Sequence, residues 1–351
     1  EARRPVKSSD RVPGPFPYLG ASGTVDYVEG FTHEGSYLCV SEDGANLLTR
    51  SLPIAWVQDG KFWANNHLQV LGGVSREHLT FFRYAIESTN IAAYVTGSAQ
   101  PKLSKASLSS VKVPKFSRGE EERIGKLLSA IDDKIVANQT SISKIDEILR
   151  ALWQKELSLG SIDVPLSSLA SFINGKAFTK GASGTGRVVV RIAEMNSGIG
   201  SRTVYSDIDA APDNVVDPGE LLFSWSGTLM TKRWPYDQAI VNQHIFKVVP
   251  NGQLDLWALR QAIDAQLEYF QMIAAGKATT MGHIKRGDLD QEVEVPAQMS
   301  EETNQLGNSL WRLATSLEIQ NLQLARTRDE LLPLLMSGRI TVGEAEDAAD
   351  E

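Results

Sequence analysis

The sequence predicts an α/β (α+β) chain in which two strand-rich mixed domains are each followed by a long helix of coiled-coil type. Three observations carry this reading. From Ile124 the apolar residues Ile124, Leu128, Ile131, Ile135, Ile142, Ile145, Leu149 and Leu152 recur at steps of four and three, with Asn138 at the central position. A second seam, Leu306, Leu310, Leu313, Leu317, Gln320, Leu324, Thr327, Leu331 and Leu334, repeats it position for position 182 residues later, so that Gln320 falls on Asn138. Four heptads of this spacing favour a coiled coil over an ordinary surface helix. Finally, the repeat extends upstream: Asn65-Asn66-His67 matches Asn242-Gln243-His244 at an offset of 177. Self-similarity of this kind sets the architecture before any local propensity does.

Taken in order, residues 1–117 form the first domain, 118–158 the first helix, 159–298 the second domain, 299–339 the second helix and 340–351 an acidic tail. Within each domain the Asn-containing motif precedes an amphipathic helix, at Arg76 to Glu87 and at Leu256 to Ile273. A closing segment follows, GSAQPKLSKASLSSVKVP (97–114) or GKATTMGHIKRGDLDQEVEVP (276–296). The Val-Pro ending each segment halts helix there, because the residue before proline avoids the α region. Ser117 and Ser300 then stand as N-caps before acidic clusters, placed where the helix dipole favours them. Each long helix should run about 40 residues, roughly 60 Å. The second domain opens near Val164, and the repeat offset puts the matching start of the first domain about 15 residues before residue 1. The chain is therefore expected to lack the front of its first domain.

The composition narrows the functional classes. At 351 residues the chain is long enough for two or three domains. No apolar run approaches the ~20 residues that cross a bilayer, and no secretory signal opens the chain. The single cysteine, Cys39, cannot form an internal disulfide and suits a reducing compartment. These features predict a cytoplasmic soluble protein without a membrane partner. The net charge of −8 is unevenly spread. Residues 1–118 carry 13 basic and 10 acidic side chains, residues 299–351 carry 4 and 10, and residues 97–118 hold five basic residues and no acid. Local patches of this kind bear on nucleic-acid binding more than the total does. Catalytic patterns are absent: GASGTGRV has Arg187 where a phosphate loop needs lysine, the five histidines lack zinc spacing, and Ser224, Ser226, Asp237 and His244 have no nucleophile elbow. No catalytic residue, metal site or cofactor is predicted.

The order of domain, polar closing loop, Val-Pro and long helix, stated twice, resembles the specificity subunit of type I restriction-modification enzymes. PYLGASGTVDYVEGF (17–31) resembles the opening strands of one class of that family's target recognition domains, the segment 97–114 their closing segment, and EEERIGKLLSAIDDKI followed by IDEILRALWQKEL the family's helix. The resemblance covers essentially the whole chain. It implies two target recognition domains held apart by an antiparallel helix pair, each reading one half of a two-part site on double-stranded DNA. It further implies docking of two modification (methyltransferase) subunits and of ATP-dependent restriction subunits, with no catalysis in this chain. A coiled-coil tether whose flanking domains bind protein is the competing reading.

Residues expected near DNA are Ser98, Gln100, Lys102, Ser104 and Lys105 in the first closing loop, and Lys277, Thr279, Thr280, His283 and Lys285 in the second. Hydroxyls and lysines suit phosphate, and glutamine suits adenine edges. Arg187, Arg191, Lys232 and Arg233 are further candidates, because arginine is the commonest guanine reader. The two Asn-x-His motifs are expected to cap turns or strand ends. Trp56, Trp63, Trp225, Trp234 and Trp257 are expected in the core. Asn138 and Gln320 are expected to face each other at the helix midpoints and fix register, since a polar seam residue specifies alignment at a cost in stability.

Overall fold

The structure, a computed structural model, describes residues 3–276 and 282–345. Lys277, Thr279, Thr280 and the last six residues of the acidic tail lie outside the described residues. The chain divides into two compact units, Glu1–Ile135 with Leu324–Glu351, and Val136–Gln323.

In the first unit, strands β1 (Pro13–Gly20), β2 (Gly23–Val28), β3 (His33–Glu34), β4 (Tyr37–Ser41), β5 (Ala55–Gln58), β6 (Lys61–Ala64) and β7 (Leu68–Gly72) form two sheets, ordered β2-β1-β6-β3 and β5-β4-β7. A short helix α1 (Asn46–Thr49) sits between β4 and β5. Helix α2 (Arg76–Ser88) starts at Ser75, whose hydroxyl accepts from the His78 amide at 3.2 Å, satisfying one of the donors a helix start leaves open. Its Leu79 and Ile86 close over Leu38 and Val40 of the second sheet and over Ile54 just before β5. Helix α3 (Lys105–Ser110) then leads to α4 (Arg118–Leu159).

The second unit repeats the plan with additions. Strands β8 (Ser161–Pro165) and β9 (Ala170–Asn174) precede β10 (Arg187–Val190), helix α5 (Ile192–Ser197), β11 (Val204–Ser206), β12 (Val215–Val216), β13 (Leu221–Ser224), β14 (Met230–Arg233), β15 (Ala239–Val241) and β16 (Ile245–Pro250). Helix α6 (Leu256–Gly276), β17 (Glu292–Pro296) and α7 (Glu301–Met336) follow. The sheets are ordered β11-β10-β15-β12 and β14-β13-β16-β9, and β17 pairs with β8. In each unit one parallel pair sits inside an otherwise antiparallel sheet, Leu19 opposite Ala64 and Val190 opposite Val241.

The long helices begin where their caps predict. The Glu120 amide donates to the Ser117 hydroxyl and the Thr303 amide to the Ser300 hydroxyl, both at 3.3 Å. Within each unit they run antiparallel. In the first, Ile124 and Leu128 share a cluster with Leu335 and Met336, and Arg328 reaches Asp132. In the second, Asn138 meets Gln320, and Glu156 accepts from Ser300 and Thr303. Two glycines 182 residues apart seat the domain helices. A Cβ on Gly125 would collide with the Glu77 carbonyl of α2, and a Cβ on Gly307 with the Trp257 ring of α6.

Two expectations need correction. Leu306 and Leu313 of the second seam are exposed, whereas Thr303, Gly307, Trp311 and Ala314 are buried; close packing of α7 on α6 through Gly307 turns that face inward. The first closing segment is not all loop, because Ser104 caps α3 by accepting from the Ser107 amide at 3.1 Å. Of the five tryptophans expected in the core, Trp234 and Trp257 are fully buried, and Trp56, Trp63 and Trp225 only half-buried. Among the described residues no helix is long and apolar enough to cross a membrane.

Candidate nucleic-acid interface

Each unit brings its closing segment against the turn after the central strand of its second sheet, through the same set of backbone bonds. In the first unit, Glu42 N donates to His67 O at 2.9 Å, Leu103 N to Glu42 O at 2.7 Å, and Gly44 N to Pro101 O at 3.0 Å, with an isolated bridge between Asp43 and Lys102. In the second, Trp225 N donates to His244 O at 3.1 Å, Ile284 N to Trp225 O at 3.0 Å, and Gly227 N to Gly282 O at 2.9 Å, with a bridge between Ser226 and His283. The two corners therefore superpose residue on residue: Glu42 on Trp225, Lys102 on His283, Ser104 on Lys285 and Lys105 on Arg286.

The side chains at these corners differ in kind. In the first, Glu42 is ringed by Arg3 at 2.6 Å, Gln69 at 2.7 Å and Lys102 at 3.3 Å, and His67 Nδ1 lies 2.6 Å from Asp43. Thr96 and Lys102 exchange both backbone bonds, closing a loop tip at which Ser98 and Gln100 are exposed. Gly97 takes a φ of +86°, a region open to glycine at little cost. Lys102 and Lys105 are also exposed, while Ser104 is half-buried and occupied as a helix cap. This places Ser98, Gln100, Lys102 and Lys105 on one surface segment.

In the second corner, Trp225 stands against His244 at 4.9 Å between ring centres and Phe246 at 5.9 Å, and its indole N–H donates to Asn174 Oδ1 at 2.8 Å. Trp225, Phe246 and Asn174, with His283, Ile284, Lys285 and Arg286, line a mainly apolar cavity of about 400 Å³. Lys285 and Arg286 are exposed; the Lys285 backbone N–H donates to Asp288 Oδ2 at 2.7 Å, while neither side chain forms an ion pair among the described residues.

The four outlying basic candidates do not gather with these loops. Arg187 donates to the Ile208 carbonyl at 2.9 Å and to Gln238. Arg191 is committed to Glu194 at 2.6 Å and to the Arg202 carbonyl. Burial pushes the Glu194 carboxyl up, but the Arg191 bonds outweigh it and hold it below the usual range. Lys232 donates to the Met195 carbonyl at 2.6 Å, and burial lowers its pKa. Arg233 is 3% exposed, gripped by both Glu318 oxygens at 2.8 and 3.0 Å and stacked over Trp311. It has no surface to offer a duplex, so the expectation that it reads a base is corrected: its geometry is that of an internal ion pair. The Asn motifs end parallel strands, Asn65 N donating to Leu19 O and Asn242 N to Val190 O. Asn65 Oδ1 also accepts from the His67 amide, whereas Asn242 Oδ1 is buried with no partner among the described residues.

Residue-type reasoning missed Trp225, Asn174 and Arg286, and on the other side Arg3, Glu42 and Asp43. The signal was in the repeat. Aligning the two units beyond the Asn-x-His motif places Trp225 on Glu42, a substitution of aromatic for acid at an otherwise repeated position.

The family model for the type I restriction modification DNA specificity domain matches residues 1–147. A putative type I restriction enzyme specificity subunit of Haemophilus influenzae is 40% identical over 130 residues, which is 37% of this chain and 33% of that protein. The matched stretch thus spans a third of the curated relative's length. The crystal structure of a type I restriction-modification system S subunit from M. genitalium shares the fold at a TM-score of 0.64 and 14% identity, covering 95% of this chain and 92% of that one.

Proposed function

We propose that the chain belongs to the type I restriction-modification specificity family, whose domain model matches residues 1–147, and is the non-catalytic subunit that reads DNA for a methyltransferase and ATP-dependent nuclease complex. Residues 1–117 and 159–298 are the two target recognition domains, each reading one half of a two-part site on double-stranded DNA. The interval between the halves follows from the length and register of the paired helices 118–158 and 299–339. Two modification subunits, and with them the restriction subunits, assemble on this chain, and the cytoplasm is where such a complex meets DNA. The observation that carries the reading is the duplicated corner: each unit holds its closing segment in the same backbone frame with lysines exposed on it. Ser98, Gln100, Lys102 and Lys105 are the proposed contact set of the first unit, and His283 and Lys285 that of the second, with Lys277, Thr279 and Thr280 beside them in sequence. Lysine and hydroxyl contacts to phosphate position a protein on the duplex, and amides read base edges.

The test is selection from a randomised duplex library by the chain together with its modification subunits, read by mobility shift and sequencing. Two short motifs separated by a fixed gap are the expected result. Equal retention of all duplexes would overturn the reading in favour of a tether whose domains bind protein.

A further inference from the structure

The cavity of the second unit has a composition that its counterpart in the first unit lacks. Its wall is the half-buried ring of Trp225, backed by Phe246. Beside the ring is Asn174, whose Oδ1 is taken by the indole N–H, leaving the Nδ2 donors for another acceptor. At the mouth are Lys285 and Arg286, both exposed. An apolar recess of about 400 Å³ with a few converging polar groups lies within the range of roughly 300–1,000 Å³ typical of small-ligand sites. A planar π surface, an amide donor in reach of its edge and two cations at the rim together suit a flat heteroaromatic ring carrying an anion. We propose that the recess of Trp225, Asn174, Lys285 and Arg286 binds a single unstacked nucleotide, with the base on Trp225, a base-edge acceptor on Asn174 and the 5′-phosphate on Lys285 and Arg286.

Stacking on an aromatic side chain is tolerant of base identity because every base has a π face. The recess therefore adds a hold on nucleotide chemistry without dictating sequence. The first unit acts as an internal control. At the position of Trp225 it carries Glu42, locked to Arg3 and Gln69, and at that of Phe246 it carries Gln69. A carboxylate there offers no stacking face and repels phosphate. The inference depends on the DNA-reading role only for the source of the nucleotide, which is either a base swung out of a strand or a free mononucleotide.

The experiment uses the full chain. Saturation-transfer NMR is recorded with the four deoxynucleoside 5′-monophosphates, deoxyadenosine and 2-deoxyribose 5-phosphate, and fluorescence with a duplex carrying one bulged 2-aminopurine. Base protons of the monophosphates should be saturated, whereas the sugar protons of 2-deoxyribose 5-phosphate should not. Trp225→Ala should weaken base-dependent binding about tenfold or more. Lys285→Ala with Arg286→Ala changes only exposed side chains, so it tests the site even if Trp225→Ala folds poorly; it should weaken dAMP while leaving deoxyadenosine unchanged. Quenching of the bulged 2-aminopurine assigns a strand as the source, and binding of mononucleotides without that quenching assigns a free nucleotide; both uphold the recess. Equal binding of the sugar phosphate, base signals that survive in a folded Trp225→Ala protein, or no base-dependent binding at all would overturn it. Mobility shift of a random-sequence duplex on the same samples separates the two claims, since duplex binding retained without a recess signal overturns this inference alone.

Discussion

In the first unit the turn after β4 and the closing segment meet around a carboxylate, Glu42, with three partners on it; in the second the same backbone bonds surround an indole, Trp225, packed on aromatic rings. The frame is held by main-chain hydrogen bonds, which do not depend on the side chains they position. One fold can therefore present an ionic corner and an aromatic one at the same address. A similar exchange occurs where the domain helices meet the long helices. Arg83 of α2 and Arg260 of α6 occupy matching places 177 residues apart. Arg83 pairs with Asp132 on the helix that follows its own domain, and Arg328 joins from the other helix. Arg260 instead pairs with Asp146 on the other long helix. The arginine is kept while its carboxylate changes helix.

The largest effect should come from breaking the first of these networks. Asp132→Ala leaves Arg83 without a carboxylate and Arg328 with only the exposed Asp329, each arginine about a quarter exposed, and removal of one member of a buried ion-pair group costs about 3 kcal/mol. Asp146→Ala should cost about 1 kcal/mol or less by the standards of partly exposed pairs, because Arg260 keeps Asp264 and Arg233 keeps Glu318. Urea denaturation of both variants measures the difference; equal losses would show that the two networks are equivalent despite their different wiring. Acid sharpens the contrast. Burial raises the Asp132 pKa, but the Tyr84 hydroxyl, Arg83 and Arg328 outweigh it, leaving the pKa below the ordinary value. Its stabilising contribution is present above the ordinary carboxylate pKa near 4 and is lost as pH falls below it. Burial pushes the Asp264 carboxyl of the second unit up, against the opposing Thr231 bond and Arg260. Its contribution has the opposite sense, complete below the ordinary pKa and lost as pH rises through the raised one. Asp132→Asn should therefore flatten the acid limb of the stability profile, and Asp264→Asn should raise stability near neutral pH.

The paired glycines rank next. Gly125→Ala drives a methyl into the Glu77 carbonyl, and Gly307→Ala drives one into the Trp257 ring. Overpacking of this kind typically costs about 1–3 kcal/mol. The backbone obstacle at Gly125 yields less than a side chain can, so Gly125→Ala should be the worse of the two in thermal melts. The reverse order would locate the tighter helix contact in the second unit. A smaller effect is expected at the amides. Asn138 is 3% exposed and donates to Gln320 Oε1 at 2.7 Å and to Asn321 Oδ1 at 2.9 Å. Asn138→Ala should cost about 1 kcal/mol, the net worth of a hydrogen bond. Asn138→Leu with Gln320→Leu should be at least as stable as the parent but shifted in register, which cysteine cross-linking across the pair would detect. An unchanged register would make the amides a tolerated feature of the seam.

What could be read from the sequence follows from where its information is local. The caps at Ser117 and Ser300, the Val-Pro stops and the heptad spacing act within one or two helical turns, and the helices start and end accordingly. The amide contact of Asn138 with Gln320 was also legible, because two matched seams leave few ways to pair. The exposure of Leu306 and Leu313 was not. Periodicity reports an apolar stripe but not which neighbour takes the adjacent face, and here α6 draws in Gly307 and Trp311. Arg233 was misread for a related reason: a strand arginine looks the same in sequence whether it meets solvent or Glu318. Ser104 was counted as a surface hydroxyl because a six-residue helix has too few turns to show a period. Trp225 was assigned to the core by composition, yet it is half-buried at the corner where the repeat departs from itself.

The last comparison returns to the two closing segments. Lys102 and Lys285 are both exposed, but the Lys102 ammonium already faces Glu42 at 3.3 Å, while the Lys285 ammonium forms no ion pair among the described residues. A lysine that neutralises one phosphate contributes about one unit to the slope of log affinity against log salt. Lys285→Ala should therefore lower the salt slope of duplex binding by about one. Lys102→Ala should lower it by less, because Glu42 competes with phosphate for the same ammonium in the free protein. Glu42→Gln should bring the contribution of Lys102 up toward that of Lys285. Salt titrations of the three variants, each bound to the same duplex with the modification subunits present, decide the matter. If Lys102→Ala leaves the slope unchanged even in the Glu42→Gln background, Lys102 makes no phosphate contact, and the ionic corner of the first unit serves the fold rather than the DNA.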